Sequence, residues 1–329
     1  MSVVNEIKKT LLSSNKQIKI VYPEGWNSDI INATTAIVDE TNVIVPILIF
    51  RNKSEIPASL SKKIERVVID ELDITKYADY IYDVRKNKGI SMEDAKKLAK
   101  SPNFLGSTMV ALGEADGEIC GIEYSTADTL RAALQIVKPS PDVSIVCSGF
   151  IMEKGINRYV FGDSSVNINP DSEQLASITK ALGRFAKSIA NIKKPHIAML
   201  SYSTAGSGKG ESVDKVRQAY QIVSVDETFV KECNVFGEIQ FDAAFDLNVM
   251  RKKAKTLKWD EQANVYVFPD INAGNIGYKI AQRLGSYQAI GPVILGLKKP
   301  VNDLSRGASA SDVKMLSYIT ALQAITQKK

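Results

Sequence analysis

One pattern restricts this 329-residue chain more than any other. Short apolar runs at 18–22, 43–50, 67–70, 143–147, 159–162, 166–168, 197–201, 235–239, 265–268 and 293–297 alternate with longer segments. In those longer segments the apolar residues recur at helical spacing. Strand-then-helix alternation of this kind predicts an α/β fold built on open sheets. In such sheets ligands are met by the loops that follow the strands. No 20–50-residue period repeats.

Composition narrows the function classes. Hydrophobic residues make up 44% and charged residues 24%, as in a folded globular protein. The net charge of +5 is spread along the chain without a basic stripe and interleaved aromatics, which argues against nucleic acid and mildly favours small anions. Cys120, Cys147 and Cys233 are widely spaced and form no C-x-x-C, so neither a disulfide framework nor a zinc site is expected. They suit a reducing cytoplasm. The N-terminus reads as a surface helix (Val3, Val4, Ile7, Leu11, Leu12), not a signal peptide. The longest apolar run, 43–50, contains Pro46 and is too short to span a membrane.

There is a single histidine, His196, directly before an apolar run that it is expected to open as a buried strand. Ser-His-Asp, Cys-His and multi-histidine metal chemistry are thereby disfavoured, and a general base is expected to be a carboxylate.

The densest polar stretch is Pro300-Val-Asn-Asp-Leu-Ser-Arg-Gly-Ala-Ser-Ala-Ser-Asp312, before an apolar-periodic run over 313–325. It reads as a loop entering a helix N-terminus, where free N–H groups and the helix dipole favour an anion beside Arg306. Ser309-x-x-Asp312 equally reads as a capping box. Two glycine-rich turns also follow strands. Ser203-Thr-Ala-Gly-Ser-Gly-Lys-Gly210 fails the Walker A pattern, since Ser203 and Gly210 stand where glycine and a hydroxyl are required. Glu211 likewise spoils a Rossmann fingerprint. Asn272-Ala-Gly-Asn-Ile-Gly277 opens a helix and invites close backbone approach to an anionic ligand. Asp242 and Asp246, at i, i+4 on an expected helix over 241–250, read as a solvated face; residues 113–121 read as a loop.

The 300–312 segment resembles the P-V-N-D-L-S-R-G loop and following S-x-x-D of the phosphotransacetylases, within the phosphate acetyl/butyryltransferase family. Further matches stand in family order: Arg85-Lys-Asn-Lys-Gly89, Thr126-Ala-Asp-Thr-Leu-Arg131, Ser201-Tyr-Ser-Thr-Ala-Gly-Ser-Gly208, Phe268-Pro-Asp-Ile-Asn-Ala-Gly-Asn275 and Gly291-Pro292. The resemblance therefore covers essentially the whole chain. It implies two open α/β domains with a cleft between them, related to the isocitrate/isopropylmalate dehydrogenase-like fold. On that basis residues 1–147 with 298–329 are expected to form the first domain, including the C-terminal helix, and 148–297 the second.

The activity so implied is exchange of an acetyl group between coenzyme A and inorganic phosphate, by direct transfer in a ternary complex. Coenzyme A is then a substrate, with no cofactor and no metal, and the enzyme is a cytoplasmic homodimer. Asp312 is the expected base toward the thiol. Arg306 would hold the transferring phosphate, and Ser305 would hydrogen-bond thiol or carbonyl. Arg85 and Arg131 would bind phosphate groups. Ser207, Gly208, Asn272, Gly274, Asn275 and Asn302 would contact substrate or coenzyme A. The alternatives are a butyryl-type acyltransferase, a nicotinamide-dependent hydroxy-acid dehydrogenase or a non-catalytic regulatory module. The dehydrogenase would need an aspartate cluster and a tyrosine-lysine pair that are not found. The regulatory module predicts a degraded loop, whereas Ser305, Arg306 and Asp312 are all present.

Overall fold

The computed structural model describes residues 2–14, 16–141, 143–257 and 259–327. Among them the chain contributes β1 (Ile18–Tyr22), β2 (Ile44–Phe50), β3 (Glu65–Val68) and β4 (Gly117–Cys120). It continues through β5 (Cys147–Lys154), β6 (Asn157–Gly162), β7 (His196–Leu200), β8 (Asn234–Ile239), β9 (Val265–Val267) and β10 (Gln288–Leu295), and ends with β11 (Val301–Asp303). The chain divides into two compact units. One comprises Val4–Ser140 with Leu297–Lys329, the other Met1–Val3 with Pro141–Gly296.

The first unit holds a five-stranded sheet in the order β11-β4-β1-β2-β3. Every pairing in it is parallel. From β1 the chain builds outward to β2 and β3, then returns to place β4 on the other side of β1. The strand order thus reverses between β1 and β4, and at such a point the loops leaving adjacent strands diverge. The helix Ala310–Thr326 returns to this unit and buries Val313, Leu316, Ile319 and Leu322. Its Ser317 hydroxyl meets Tyr22 Oη at 2.7 Å, so even its polar buried groups are paired.

The sequence reads 113–121 as a loop, yet Gly117–Cys120 is a fully buried strand between β11 and β1. The glycine is there because a Cβ at Gly117 would lie 2.7 Å from a methyl of Thr320. Glu118, which makes the stretch look polar, is buried, and burial pushes its carboxyl up to about 8, so the group sits in the core as a neutral acid.

The second unit holds the order β10-β5-β6-β9-β7-β8. β5 pairs antiparallel with β10 and β6, whereas β6, β9, β7 and β8 run parallel. The strand expected at 143–147 begins instead at Cys147 and runs through Ser148-Gly149 to Lys154. Gly149 is no turn residue: a Cβ there would meet the Phe185 ring at 3.0 Å. Residues 166–168 are loop, not strand, because the Asp163 carboxylate takes the N–H groups of Ser165, Val166 and Asn167. The helix expected over 241–250 is two, Phe241–Phe245 and Leu247–Lys253, since Asp246 caps the second through the N–H of Asn248. Asp242 pairs with Lys253 at 2.7 Å.

His196 does open a buried strand; its ring nitrogens make no hydrogen bond among the described residues, Nε2 lies 3.9 Å from Glu261 Oε2, and the ring is edge-on to Trp259 at 5.0 Å. Burial lowers its pKa, helped by Lys194 and opposed by Glu261 and Asp260. Folded and unfolded chains are both neutral there above the unfolded value of about 6.5. As pH falls below that value the unfolded chain binds the proton first, so stability is lost on acidification. The melting temperature of His196→Gln should accordingly fall less between pH 7 and pH 5 than that of the wild type. Equal falls would show that His196 titrates normally.

Candidate active site

In the first unit the loops leaving β1, β4 and β11 emerge at the same edge, because the three strands are adjacent and parallel. Glu24, two residues past β1, is buried there and accepts four backbone N–H groups from the loop after β4. Oε2 takes Gly121 at 2.9 Å and Ile122 at 3.2 Å, and Oε1 takes Glu123 at 2.7 Å and Tyr124 at 2.8 Å. Burial raises its pKa and the four donors oppose it. One carboxylate thereby ties the β1 and β4 loops across the point where the strand order reverses. It was not among the residues expected from the sequence; the only local sign is its place in Pro23-Glu24-Gly25 directly after a strand.

The β4 loop ends at Ser125, whose hydroxyl caps the helix Thr126–Ala132 through the N–H of Asp128. Arg131 lies one turn on, exposed, with its guanidinium 2.5 Å from Asp128. On the helix Thr75–Arg85, the Arg85 Nε is buried without a partner, and no other bond or ion pair engages that side chain among the described residues. Arg306, exposed on the loop after β11, is likewise unengaged among the described residues. Two of the three arginines expected to hold phosphate are therefore uncommitted in the free protein, and the third holds only an exposed pair of small worth.

The remaining residues of the β11 loop separate by depth. Asn302 is fully buried and its amide donates to Thr320 Oγ1 at 2.8 Å and Gln323 Oε1 at 2.7 Å. Expected as a substrate contact, it instead fastens the strand to the final helix. Asp303 is buried, Leu304 follows it inward, and Ser305 and Arg306 turn out into solvent. Ser305 Oγ accepts only a long bond from the Gly307 N–H, 3.5 Å.

Asp312 completes a reciprocal cap. The Ser309 hydroxyl accepts from the Asp312 N–H at 3.3 Å, while Asp312 Oδ2 accepts from the Ser309 N–H at 2.9 Å and hydroxyl at 2.7 Å. Oδ1 accepts no bond among the described residues. The first N–H of the helix, Ala310, is taken by Asp29 Oδ1 at 3.1 Å. The helix N-terminus is thus largely satisfied by protein groups, and the cation exposed beside it is Arg306.

In the second unit the loops after β6, β9 and β7 likewise share the carboxyl edge of the parallel strands. Buried Glu238 organises the glycine-rich loop after β7. It accepts from Ser203 Oγ at 2.9 Å, the Gly206 N–H at 2.7 Å and the Arg217 guanidinium at 3.2 Å. Burial pushes its carboxyl up, but Arg217 and the N–H donors outweigh that and hold it below the usual carboxylate value. The Gly208 N–H binds Ser203 Oγ at 2.8 Å and the Ser207 hydroxyl accepts from Thr204 N at 3.0 Å. Several donors that could have cradled an anion are therefore spent within the loop.

Asp270 caps the helix Ile271–Arg283 through Ala273 N. Gly274 is obligatory there, since a Cβ would fall 2.2 Å from the Asp163 carbonyl oxygen. Asn275 donates to Ser164 O at 3.2 Å, and Asn272 is exposed.

Comparison with known proteins agrees along the whole chain. The family model described as Phosphate acetyl/butaryl transferase matches residues 2–321. A phosphate acetyltransferase of Mycoplasma genitalium is 49% identical over 325 residues, 99% of this chain and 100% of that protein. One of Mycoplasma pneumoniae is 47% identical over 327 residues, again 99% and 100%. The solved phosphotransacetylase of Streptococcus pyogenes superposes with a TM-score of 0.91 at 40% identity, covering 99% of this chain and 100% of that one.

Proposed function

Because this chain belongs to the phosphate acetyl/butyryl transferase family and is an acyltransferase that moves an acetyl group between coenzyme A and phosphate, we propose that transfer is direct and that Ser305, Arg306 and Asp312 carry it. The observation behind this is the Arg306 guanidinium, unpartnered among the described residues and standing with Ser305 in solvent, on a loop held at one end by Thr126 on Asp303 and at the other by the Ser309–Asp312 cap. An unpaired cation beside a satisfied helix terminus has no structural employment and is ready for an anion.

In the direction of thioester formation, the thiol sulfur attacks the acetyl carbonyl of acetyl phosphate and the S–C bond forms. The S–H proton passes to Asp312 Oδ1, the oxygen that the cap leaves free. The bond between the carbonyl carbon and the bridging oxygen breaks, and phosphate departs with that oxygen and the electron pair while Arg306 offsets its charge and that of the tetrahedral intermediate. Ser305 hydrogen-bonds the carbonyl or thiol in this reading. A thiol near 8.5 is a weak acid toward a carboxylate, so proton transfer accompanies attack instead of preceding it.

Direct transfer is further supported by the cysteines. All three are buried and free, and burial raises each thiol, Cys233 to about 11 and the other two well above the ordinary value. None offers a thiolate for a covalent acetyl intermediate. The deciding assay mixes acetyl phosphate with coenzyme A and follows thioester absorbance, with butyryl phosphate in parallel. The acetyl substrate should be strongly preferred; faster turnover of butyryl phosphate would reassign the acyl group.

Arg85 and Arg131 bind phosphate groups of the substrates in this reading. Each arginine-to-alanine change should raise a Michaelis constant by about tenfold, in line with one lost charged hydrogen bond. Raised salt should weaken wild-type binding too. Unchanged constants for both substrates would return the two arginines to the ordinary surface. On the second unit, taken by itself, Ser207 and Asn272 are exposed and contact the coenzyme in this reading, Asn272 with its amide unengaged among the described residues.

The protein further acts as a cytoplasmic homodimer in this reading. Free cysteines suit the compartment. Ile276, Ile280 and Leu284 lie at i, i+4, i+8 and are 58%, 52% and 84% exposed, an apolar stripe directed away from the core. A two-fold pairing would bury such a stripe against its own copy. Ile280→Glu should sediment at half the mass of the wild type; identical sedimentation would remove this helix from the interface.

A further inference from the structure

We propose that Asp303 is a positioning residue for acyl transfer: through Thr126 its carboxylate couples the Ser305–Arg306 loop to the helix that carries Arg131. This rests on the roles proposed above for those two arginines and adds the element that holds them in register.

Asp303 is the last residue of β11, aligned with Cys120 of β4, and is 2% exposed. Its Oδ2 accepts from the Thr126 hydroxyl at 2.6 Å, a contact spanning 177 residues. Thr126 is the first residue of the Arg131 helix, and Ser305 stands two residues after Asp303. One hydrogen bond therefore joins the bases of both arginine-bearing segments.

The chain is cut to admit this carboxylate. A Cβ at Gly121, whose φ is +110°, would lie 2.3 Å from Asp303 Oδ1 and 2.9 Å from Leu304 N. Only glycine meets both demands. Yet Oδ1 and the Thr129 hydroxyl, one turn along the helix, have no hydrogen-bond partner among the described residues. A buried carboxylate left half-satisfied is costly, and an amide would serve as well if anchoring Thr126 were the only task.

The groups around Asp303 make its ionisation adjustable. Glu24, Glu118, Cys120 and Tyr124 lie on the elements packed against it, and Asp128 and Arg131 lie on the helix it bonds. Burial raises its pKa to about 6, the Thr126 hydroxyl pulls it down, and Glu24 adds to the rise. The carboxylate is thus charged at neutral pH and loses its charge within two units below. Once protonated it keeps only a weaker neutral bond to Thr126.

The test is the Michaelis constant for coenzyme A against pH, at saturating acetyl phosphate. Substrate phosphates titrate alike in every variant, so a limb that moves belongs to the protein. The wild type should show a rise below about pH 6. Thr126→Val, which removes a group that lowers the Asp303 pKa, should move that limb to higher pH. Asp303→Asn should abolish the limb and raise the constant by about fivefold already at pH 8. Neither Glu24 nor Glu118 shares a hydrogen bond with Thr126 among the described residues, so an upward displacement in Thr126→Val identifies Asp303. A limb left in place in Thr126→Val overturns the proposal, and does so even where Asp303→Asn fails to fold. Arg131→Ala in the same series separates the two levels. Wild-type constants there for both coenzyme A and acetyl phosphate defeat the phosphate role of Arg131, whereas a raised constant there beside an unmoved limb in Thr126→Val defeats only the positioning role of Asp303.

Discussion

Arg306→Gln should lose about 10²–10³-fold in turnover, the usual consequence of removing one transition-state donor, while its melting temperature moves by less than about 2 °C. The stability half follows from placement: the side chain is exposed and engaged with nothing among the described residues, so glutamine leaves no cavity and no stranded charge. The activity half follows from chemistry. A phosphate leaving group gains charge as the C–O bond breaks, and glutamine supplies donors without charge. Arg306→Lys should recover only part of the loss, because an ammonium cannot present the planar two-pronged donor of a guanidinium. Parallel kinetics and thermal melts check this. A mutant with full turnover and a much lower melting temperature would make Arg306 a structural residue.

Asp312→Asn is the second large effect, at least about 10²-fold in turnover. The structure makes this substitution unusually clean. Both protein contacts to the carboxylate fall on Oδ2, where the asparagine carbonyl can still accept from Ser309. The cap therefore survives and the melting temperature should barely change, while the free Oδ1 is replaced by an amide that takes no proton. Raising the pH should partly restore turnover, since more of the thiol is then ionised without help. Ser309→Ala should do the reverse, costing about 1 kcal/mol of stability through the lost cap and changing turnover little, because the Ser309 N–H still holds Oδ2. An Asp312→Asn protein that melts early but turns over normally would make Asp312 a cap alone.

These two residues were legible in the chain for a local reason. Polar groups concentrated in thirteen residues ahead of a helical period mark a loop at a helix terminus, and Ser309-x-x-Asp312 writes its cap within four residues. The strand-helix alternation, the strand opened by His196 and the loops at strand ends are local in the same sense, since each shows within a window of one element. Residue order alone also carried the family resemblance, which the full-length relatives bear out.

What lay outside any such window had to wait for the tertiary structure. β4 hides a glycine and a glutamate inside a core strand between β11 and β1, where the buried Ser107 hydroxyl, 2.7 Å from Glu118 Oε2, satisfies the neutral carboxyl. Asn302 and Asp303 look alike in sequence, two polar residues in one loop, yet one is spent on the final helix and the other reaches Thr126. Glu24 binds a loop 97 to 100 residues away. Whether a polar side chain is employed by its own fold or left free for a ligand depends on which distant backbone it meets. Local periodicity sets the elements; the burial and pairing of charged groups are set by contacts that form only once the sheet has closed.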